Sequence, residues 1–203
     1  MDIGQYLAIF ISAVFINNVI LSRFLGLCSF IAISKETKPA LAMSLAVMFV
    51  ITMSSIITWF IYRFLLIPFD LSYLRTISFI LVIAAFVQLV EMVIRKISPP
   101  LYRFFGIYLP LITVNCAVLG VAVLNSDMFF SGGRSAVPGS FYYSLFQGIC
   151  VGVGYTVAML LMSGIRERLE LCNVPRVFKD FPLAFIIASI MSLSFFGFNG
   201  FRF

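Results

Sequence analysis

The sequence predicts an all-α integral membrane protein of six transmembrane helices. They form an inverted 3+3 repeat with broken first and fourth helices and both termini outside. Three observations predict this. The 203 residues are 62% hydrophobic and 11% charged, with a mean hydropathy of +1.11. A soluble domain is about half apolar and about a quarter charged, and a soluble chain of this length cannot hide so much apolar surface. Second, six apolar stretches approach or exceed the roughly 20 residues that cross a bilayer. Third, polar residues interrupt the first and fourth stretches at comparable places.

The stretches are approximately 6–33, 40–67, 76–94, 104–124, 141–164 and 182–201. Their connections are short, so 1–203 reads as a single membrane domain with repeat halves of about 1–97 and 98–203. The N-terminus, Met-Asp-Ile-Gly-Gln-Tyr, has no basic region and no small-residue cleavage pattern follows, which predicts a retained first span.

The first stretch is long. As one helix its residues would extend about 42 Å, more than a hydrocarbon core of about 30 Å requires. It also carries Asn17, Asn18, Ser22, Arg23 and Gly26 where lipid-facing residues are expected. Tilt accommodates the length and leaves the polar cluster unexplained. Two half-helices around an unwound stretch account for both. The fourth stretch repeats the pattern, with Pro110 early, Thr113, Asn115 and Cys116 at its centre and Gly120 just beyond. Ile16-Asn17-Asn18-Val19-Ile20-Leu21 aligns with Val114-Asn115-Cys116-Ala117-Val118-Leu119 in Asn, Leu and aliphatic type. Each segment opens a three-span half, and an odd number of spans inverts the second half against the first.

Orientation follows from Lys and Arg. One side collects Lys35, Lys38, Arg95, Lys96, Arg103, Arg166, Arg168, Arg176 and Lys179; the other has Arg63, Arg75, Arg134 and Arg202. Nine basic residues against four place the first side in the cytoplasm and both termini outside. Arg23 falls within the first span and is the only charge deep in one, facing either the protein interior or a partner. The net charge of +6 reflects these loops and is no sign of nucleic-acid binding.

Histidine is absent, which excludes His-ligated haem, His-ligated zinc and imidazole proton relays within this chain. The carboxylates Asp2, Glu36, Asp70, Asp127, Glu167, Glu170 and Asp180 lie in or next to predicted loops. Glu91 stands one turn from Arg95, an ion-pair spacing. No acid sits at mid-membrane, where an autonomous ion carrier usually has one. Four cysteines remain, none in a CxxC pair. Cys150 lies in Gly148-Ile-Cys-Val-Gly152, whose GxxxG spacing predicts close helix contact and a packing role for the thiol. Cys172 has no apparent partner. Cys28 and Cys116 each lie next to a predicted break. As a pair they supply two thiolates where a tetrathiolate cluster needs four, so a partner with its own pair would complete the set. A disulfide, or no ligand role at all, are the alternatives that residues alone leave open.

The stretches "NNVILSRFLGLC" (17–28), "YLRTISFILVIAAFVQLVEMVIRK" (73–96), "LYRFFGIYLPLITVNCAVLGVAVLN" (101–125) and "IRERLE" (165–170) resemble the family of Rnf electron-transport complex A subunits. Their relatives in the Na+-pumping NADH:quinone reductase, the D and E subunits of Nqr, are similar, particularly across "GIYLPLITVNCA". The resemblance covers essentially the whole chain and is weakest at 126–140. It implies a six-span subunit of the prokaryotic cytoplasmic (inner) membrane, paired with a homologous subunit of opposite orientation. It implies an intramembrane [2Fe–2S] cluster shared between them, each subunit giving two cysteines, here Cys28 and Cys116. Asn17, Asn18, Gly26, Thr113, Asn115 and Gly120 would support that site. The complex, with further iron–sulfur and flavin-carrying subunits, would pass electrons between ferredoxin and NAD and couple them to Na+ or H+ movement. This chain has no flavin or nicotinamide motif and would not act alone. Two rivals remain: the role of the E subunit in Nqr, and a solute transporter or channel on the same inverted repeat.

Overall fold

The computed structural model describes residues 3–69, 72–97, 109–130, 140–172 and 181–197. Both termini and the loop residues Arg103, Arg134, Arg176, Lys179 and Asp180 lie outside these, as do Asp2, Asp70 and Arg202. Among the described residues the regular structure is helical throughout. α1 (Ile3–Ile11) continues into a π-turn over Ser12–Ile16, and α2 (Leu27–Ile33) follows after a gap. α3 (Thr37–Ile61) also ends in a π-turn, Tyr62–Leu66. A short 3₁₀ turn, Ser72–Leu74, leads into α4 (Arg75–Ile97). α5 (Leu109–Thr113) and α6 (Cys116–Phe130) share the fourth apolar stretch. α7 (Ser140–Glu170) and α8 (Phe181–Phe196) complete the chain.

Four helical stretches are long and apolar enough to cross a membrane: Thr37–Leu66, Arg75–Val93, Leu111–Met128 and Phe141–Leu169. Tyr6–Ile16 and Phe181–Phe196 are shorter apolar helices. Helix boundaries follow local chemistry. Pro39, Pro110 and Pro182 each sit in a first turn, where the missing N–H has no intrahelical partner to lose. Side-chain hydroxyls are absorbed by the helices themselves: Ser55, Thr58 and Thr156 donate to the carbonyls of Ile51, Ser54 and Gly152 four residues back. In hydrocarbon this satisfies the hydroxyl at no cost to the ladder.

The chain divides into two compact units, Met1–Met48 with Cys150–Phe203, and Phe49–Ile149. Each unit takes residues from both of the predicted repeat halves. The first has a core of Phe30, Met43, Val47, Tyr155, Met159 and Met162, all at most 1% exposed. The second packs Ile51, Leu66, Phe79, Val87, Ala117 and Val121, all at most 2% exposed. In the second unit α4 shows one narrow buried stripe, Phe79, Ile83 and Val87, at i, i+4, i+8. Its other faces expose Ile77, Leu81, Leu89 and Met92, each at least 60% accessible. Apolar exposure on that scale fits a lipid-facing helix.

The GxxxG expectation is met within each unit. A Cβ on Gly148 would stand 3.0 Å from Ser55 Oγ and 3.5 Å from Thr52 Cα. On Gly152 it would stand 2.5 Å from Met48 Cγ and 3.2 Å from Met48 Cα. Cys150 between them is buried, as its packing role predicts. In the second unit Asn125 gathers three helices: its Nδ2 donates to Ser55 Oγ and Ser144 Oγ, both at 3.2 Å. Nearby, Arg75 and Asp127 form an ion pair. One boundary differs from the sequence expectation. The fifth helix does not end near 164 but runs to Glu170, so Arg166 and Arg168 are helical rather than loop residues. The sequence Ile-Arg-Glu-Arg-Leu-Glu contains only residues compatible with helix and no Gly or Pro to stop it.

Candidate functional site

In the first unit the chain leaves helix at Asn17 and re-enters it at Leu27. The π-turn closes on the break, with the Asn17 N–H donating to the Ser12 carbonyl at 2.6 Å. π-Turns inside α-helices are found mostly at functional sites. Asn17 itself is exposed, and its Nδ2 donates to Ser12 Oγ at 3.2 Å. Asn18 is 1% exposed and carries the break. Its Nδ2 donates to the carbonyls of Val14 (3.1 Å) and Gly154 (2.9 Å), while its Oδ1 accepts the Ile20 N–H (3.1 Å). The unwound backbone is otherwise satisfied locally. The Ser22 N–H donates to the Asn18 carbonyl, the Leu25 N–H to the Val19 carbonyl, and Ser192 Oγ to the Leu21 carbonyl. This accounting is what non-helical backbone needs at membrane depth.

Two residues of the break take left-handed backbone: Phe24 at φ 55° and Gly26 at φ 87°. Glycine bears this freely; a phenylalanine there stores strain of about 1–2 kcal/mol, a cost that concentrates at functional segments. Gly26 precedes α2, and its carbonyl accepts the Phe30 N–H and Ser29 Oγ, each at 3.0 Å. Cys28 is the second residue of α2 and is exposed. Arg23 is exposed too, so it does not face the interior of this chain. Beside the break lies a cavity of about 180 Å³, lined by Phe15, Leu21, Phe24, Ser192 and Phe196 among others.

In the second unit the interruption is two residues long. α5 ends at Thr113, which is half-buried; Val114 is 73% exposed, and α6 begins at Cys116. Asn115 is its N-cap, 3% exposed. Oδ1 accepts the Ala117 N–H at 3.0 Å, and the Asn115 carbonyl accepts the Val118 N–H at 3.1 Å. An asparagine at this position satisfies one of the orphan donors of the first turn. Cys116 is exposed, while Ala117 and Val118 behind it are at most 1% exposed. Gly120 lies within α6, half-buried and outside the break.

Both predicted breaks are therefore present, and each is followed within two residues of helix by an exposed thiol. The asparagine that shares Asn115's hydrogen bond, Oδ1 to the N–H two residues on, is Asn18 rather than Asn17. None of the four cysteines is in a disulfide. Among the described residues no group of three or more His, Cys, Asp or Glu side chains is placed to hold a metal. Two residues that sequence reasoning did not single out bear on the first break. Tyr155, 1% exposed, bonds Ser29 Oγ at 2.8 Å. Arg166, 8% exposed, donates to the Ile31 carbonyl and to Ser34 Oγ, both at 2.8 Å.

A family model described as "Rnf-Nqr subunit, membrane protein" matches residues 6–202. The chain is 49% identical over 197 residues to the A subunit of an ion-translocating oxidoreductase complex of Azoarcus sp., covering 97% of both chains. It is 47% identical over 194 residues to the A subunit of the Na(+)-translocating ferredoxin:NAD(+) oxidoreductase complex of Acetobacterium woodii, covering 96% of both. It is 46% identical over 197 residues to the A subunit of the proton-translocating ferredoxin:NAD(+) oxidoreductase complex of Clostridium ljungdahlii, covering 97% of both.

Proposed function

Because this chain belongs to the Rnf-Nqr family of membrane subunits, we propose that it is the A-type subunit of an ion-translocating ferredoxin:NAD oxidoreductase complex in the bacterial inner membrane. It works there as one non-autonomous part of a redox-driven translocase. Cys28 and Cys116 are two thiolate ligands of a [2Fe–2S] cluster, and a homologous subunit of opposite orientation supplies the other two. The observation that carries this reading is the matched placement of the two thiols. Each stands exposed on the first turn of a helix that restarts after a break.

The residues present fit such a cluster. Their sulfurs are thiols, not disulfides, and reach the surface of their own units, where a second chain can complete a tetrathiolate set. When bound, the cluster supplies one-electron transfer within the membrane. The protein's contribution is to hold and orient. Asn115 caps α6, so the backbone N–H groups of its first turn stay ordered behind Cys116. That helix terminus also favours the negative charge of a thiolate-bound centre. Asn18 pins the unwound stretch before Cys28, and Gly26 turns the chain into α2. Hydrocarbon surroundings and hydrogen bonds to sulfur then tune the potential.

The remaining architecture follows the same proposal. Six spans form an inverted 3+3 repeat, with basic loops in the cytoplasm and both termini outside, because nine of thirteen loop cations fall on one side. The functional test is purification through a tag on this chain. A cysteine-rich, ferredoxin-like partner and NAD reduction by reduced ferredoxin in the purified complex are expected. NADH:quinone activity in their place would assign the chain to an Nqr complex. Solute binding by the isolated chain, indifferent to loss of either cysteine, would mark a carrier.

A further inference from the structure

We propose that Tyr155 and Arg166 of α7 are positioning residues for Cys28, acting through the two ends of α2, an inference that rests on Cys28 being a metal ligand. α2 is seven residues long, Leu27–Ile33, and so short a helix has no independent stability. Its position and rotation are set by what grips it. At its start, Ser29 Oγ donates to the Gly26 carbonyl at 3.0 Å and bonds the Tyr155 hydroxyl at 2.8 Å. Ser29 is the residue after Cys28 and is fully buried. At its end, Arg166 Nη1 donates to the Ile31 carbonyl and to Ser34 Oγ, both at 2.8 Å. Ile31 is among the last four carbonyls of the helix, which have no intrahelical donor, and a cation is favourably placed there.

Tyr155 and Arg166 are eleven positions apart in one helix, which at 3.6 residues per turn puts them about 20° apart around its axis. One face of α7 thus presents both groups. The same helix also accepts from the loop before α2, through Asn18 Nδ2 to the Gly154 carbonyl at 2.9 Å. Apolar contacts alone let a short helix slide or roll, because they have no preferred direction. Directional bonds to a buried hydroxyl and a buried guanidinium do not. Placing an arginine 8% exposed is costly, and here its charge-assisted bonds go to the end of the cysteine-bearing helix.

The test uses the purified whole complex carrying Tyr155→Phe, Arg166→Lys, Arg166→Gln or Cys28→Ser. Tyr155→Phe and Arg166→Gln are expected to keep the cluster's iron but shift the EPR g-values of the reduced centre and its midpoint potential. Electron transfer from ferredoxin should fall about 10- to 100-fold, as is typical when a support of a metal ligand is removed. Arg166→Lys, which keeps the charge and a donor, should recover much of the rate lost in Arg166→Gln. If Cys28→Ser abolishes the signal while Tyr155→Phe and Arg166→Gln leave g-values and potential unchanged, positioning is refuted and the ligand assignment stands. If Cys28→Ser keeps the full signal, the ligand assignment falls first. Should Arg166→Gln fail to assemble, Tyr155→Phe decides, since it removes one hydroxyl and keeps the ring.

Discussion

Replacing Asn18 by leucine, a residue of similar volume, separates the two asparagines of the first break. Asn18 is 1% exposed and makes three hydrogen bonds: two from Nδ2 to carbonyls and one from the Ile20 N–H to Oδ1. Hydrogen bonds between membrane helices average about 0.6 kcal/mol, so three lost bonds set a floor of about 2 kcal/mol. Leaving buried carbonyls and an N–H without partners adds desolvation penalties of about 1–3 kcal/mol for each group that no rearrangement satisfies. Asn17 is exposed and its side chain bonds Ser12 Oγ, so Asn17→Leu should stay within about 0.5 kcal/mol of the parent. The assay is thermal unfolding of the purified complex in detergent, followed by size-exclusion recovery of this chain. At roughly 2–4 °C per kcal/mol for a chain of this size, Asn18→Leu should lower the midpoint by roughly 4–8 °C or more, and Asn17→Leu by no more than roughly 2 °C. Equal midpoints for the two variants would refute the assignment of the break to Asn18.

Gly26→Ala places a Cβ at φ 87° and should cost about 1–2 kcal/mol, read as a lower unfolding midpoint and faster labelling of Cys28 by a thiol reagent. At Gly152 a Cβ would lie 2.5 Å from Met48 Cγ and 3.2 Å from its Cα, so Gly152→Val should cost about 1–3 kcal/mol by overpacking. A Cβ on Gly164 would meet nothing within 4 Å, so Gly164→Ala should leave the midpoint unchanged or raise it slightly, by up to about 1 kcal/mol of helix propensity.

The breaks were legible because polarity inside hydrocarbon is expensive, and a cluster such as Asn17, Asn18, Ser22 and Arg23 has few structural explanations. Their function as breaks needed only composition and length. Which asparagine bears the load was not legible. Asn17 and Asn18 are chemically identical, and only the fold turns one onto the Gly154 carbonyl and the other outward. Arg166 was read as a loop cation because the apolar run fades at Gly164. The helix nevertheless continues through residues with good helical propensity, and its burial depends on the end of α2, over a hundred residues away in sequence. Tyr155 and Asn125 looked like ordinary members of apolar runs; each is polar at one tip and meets a partner that only tertiary contact supplies. The π-turns at Ser12–Ile16 and Tyr62–Leu66 carry no residue pattern that distinguishes them from α-helix. For the thiols, spacing indicated a location beside the breaks, and the chemistry assigned to them comes from the family.

The most direct test of the central claim is the iron content and reduced-state EPR of the purified complex with Cys28→Ser, Cys116→Ser, Cys150→Ser and Cys172→Ser in turn. The account predicts that either of the first two removes the cluster signal, while Cys150→Ser and Cys172→Ser leave it at the parental level. A full signal in Cys28→Ser or in Cys116→Ser would contradict it.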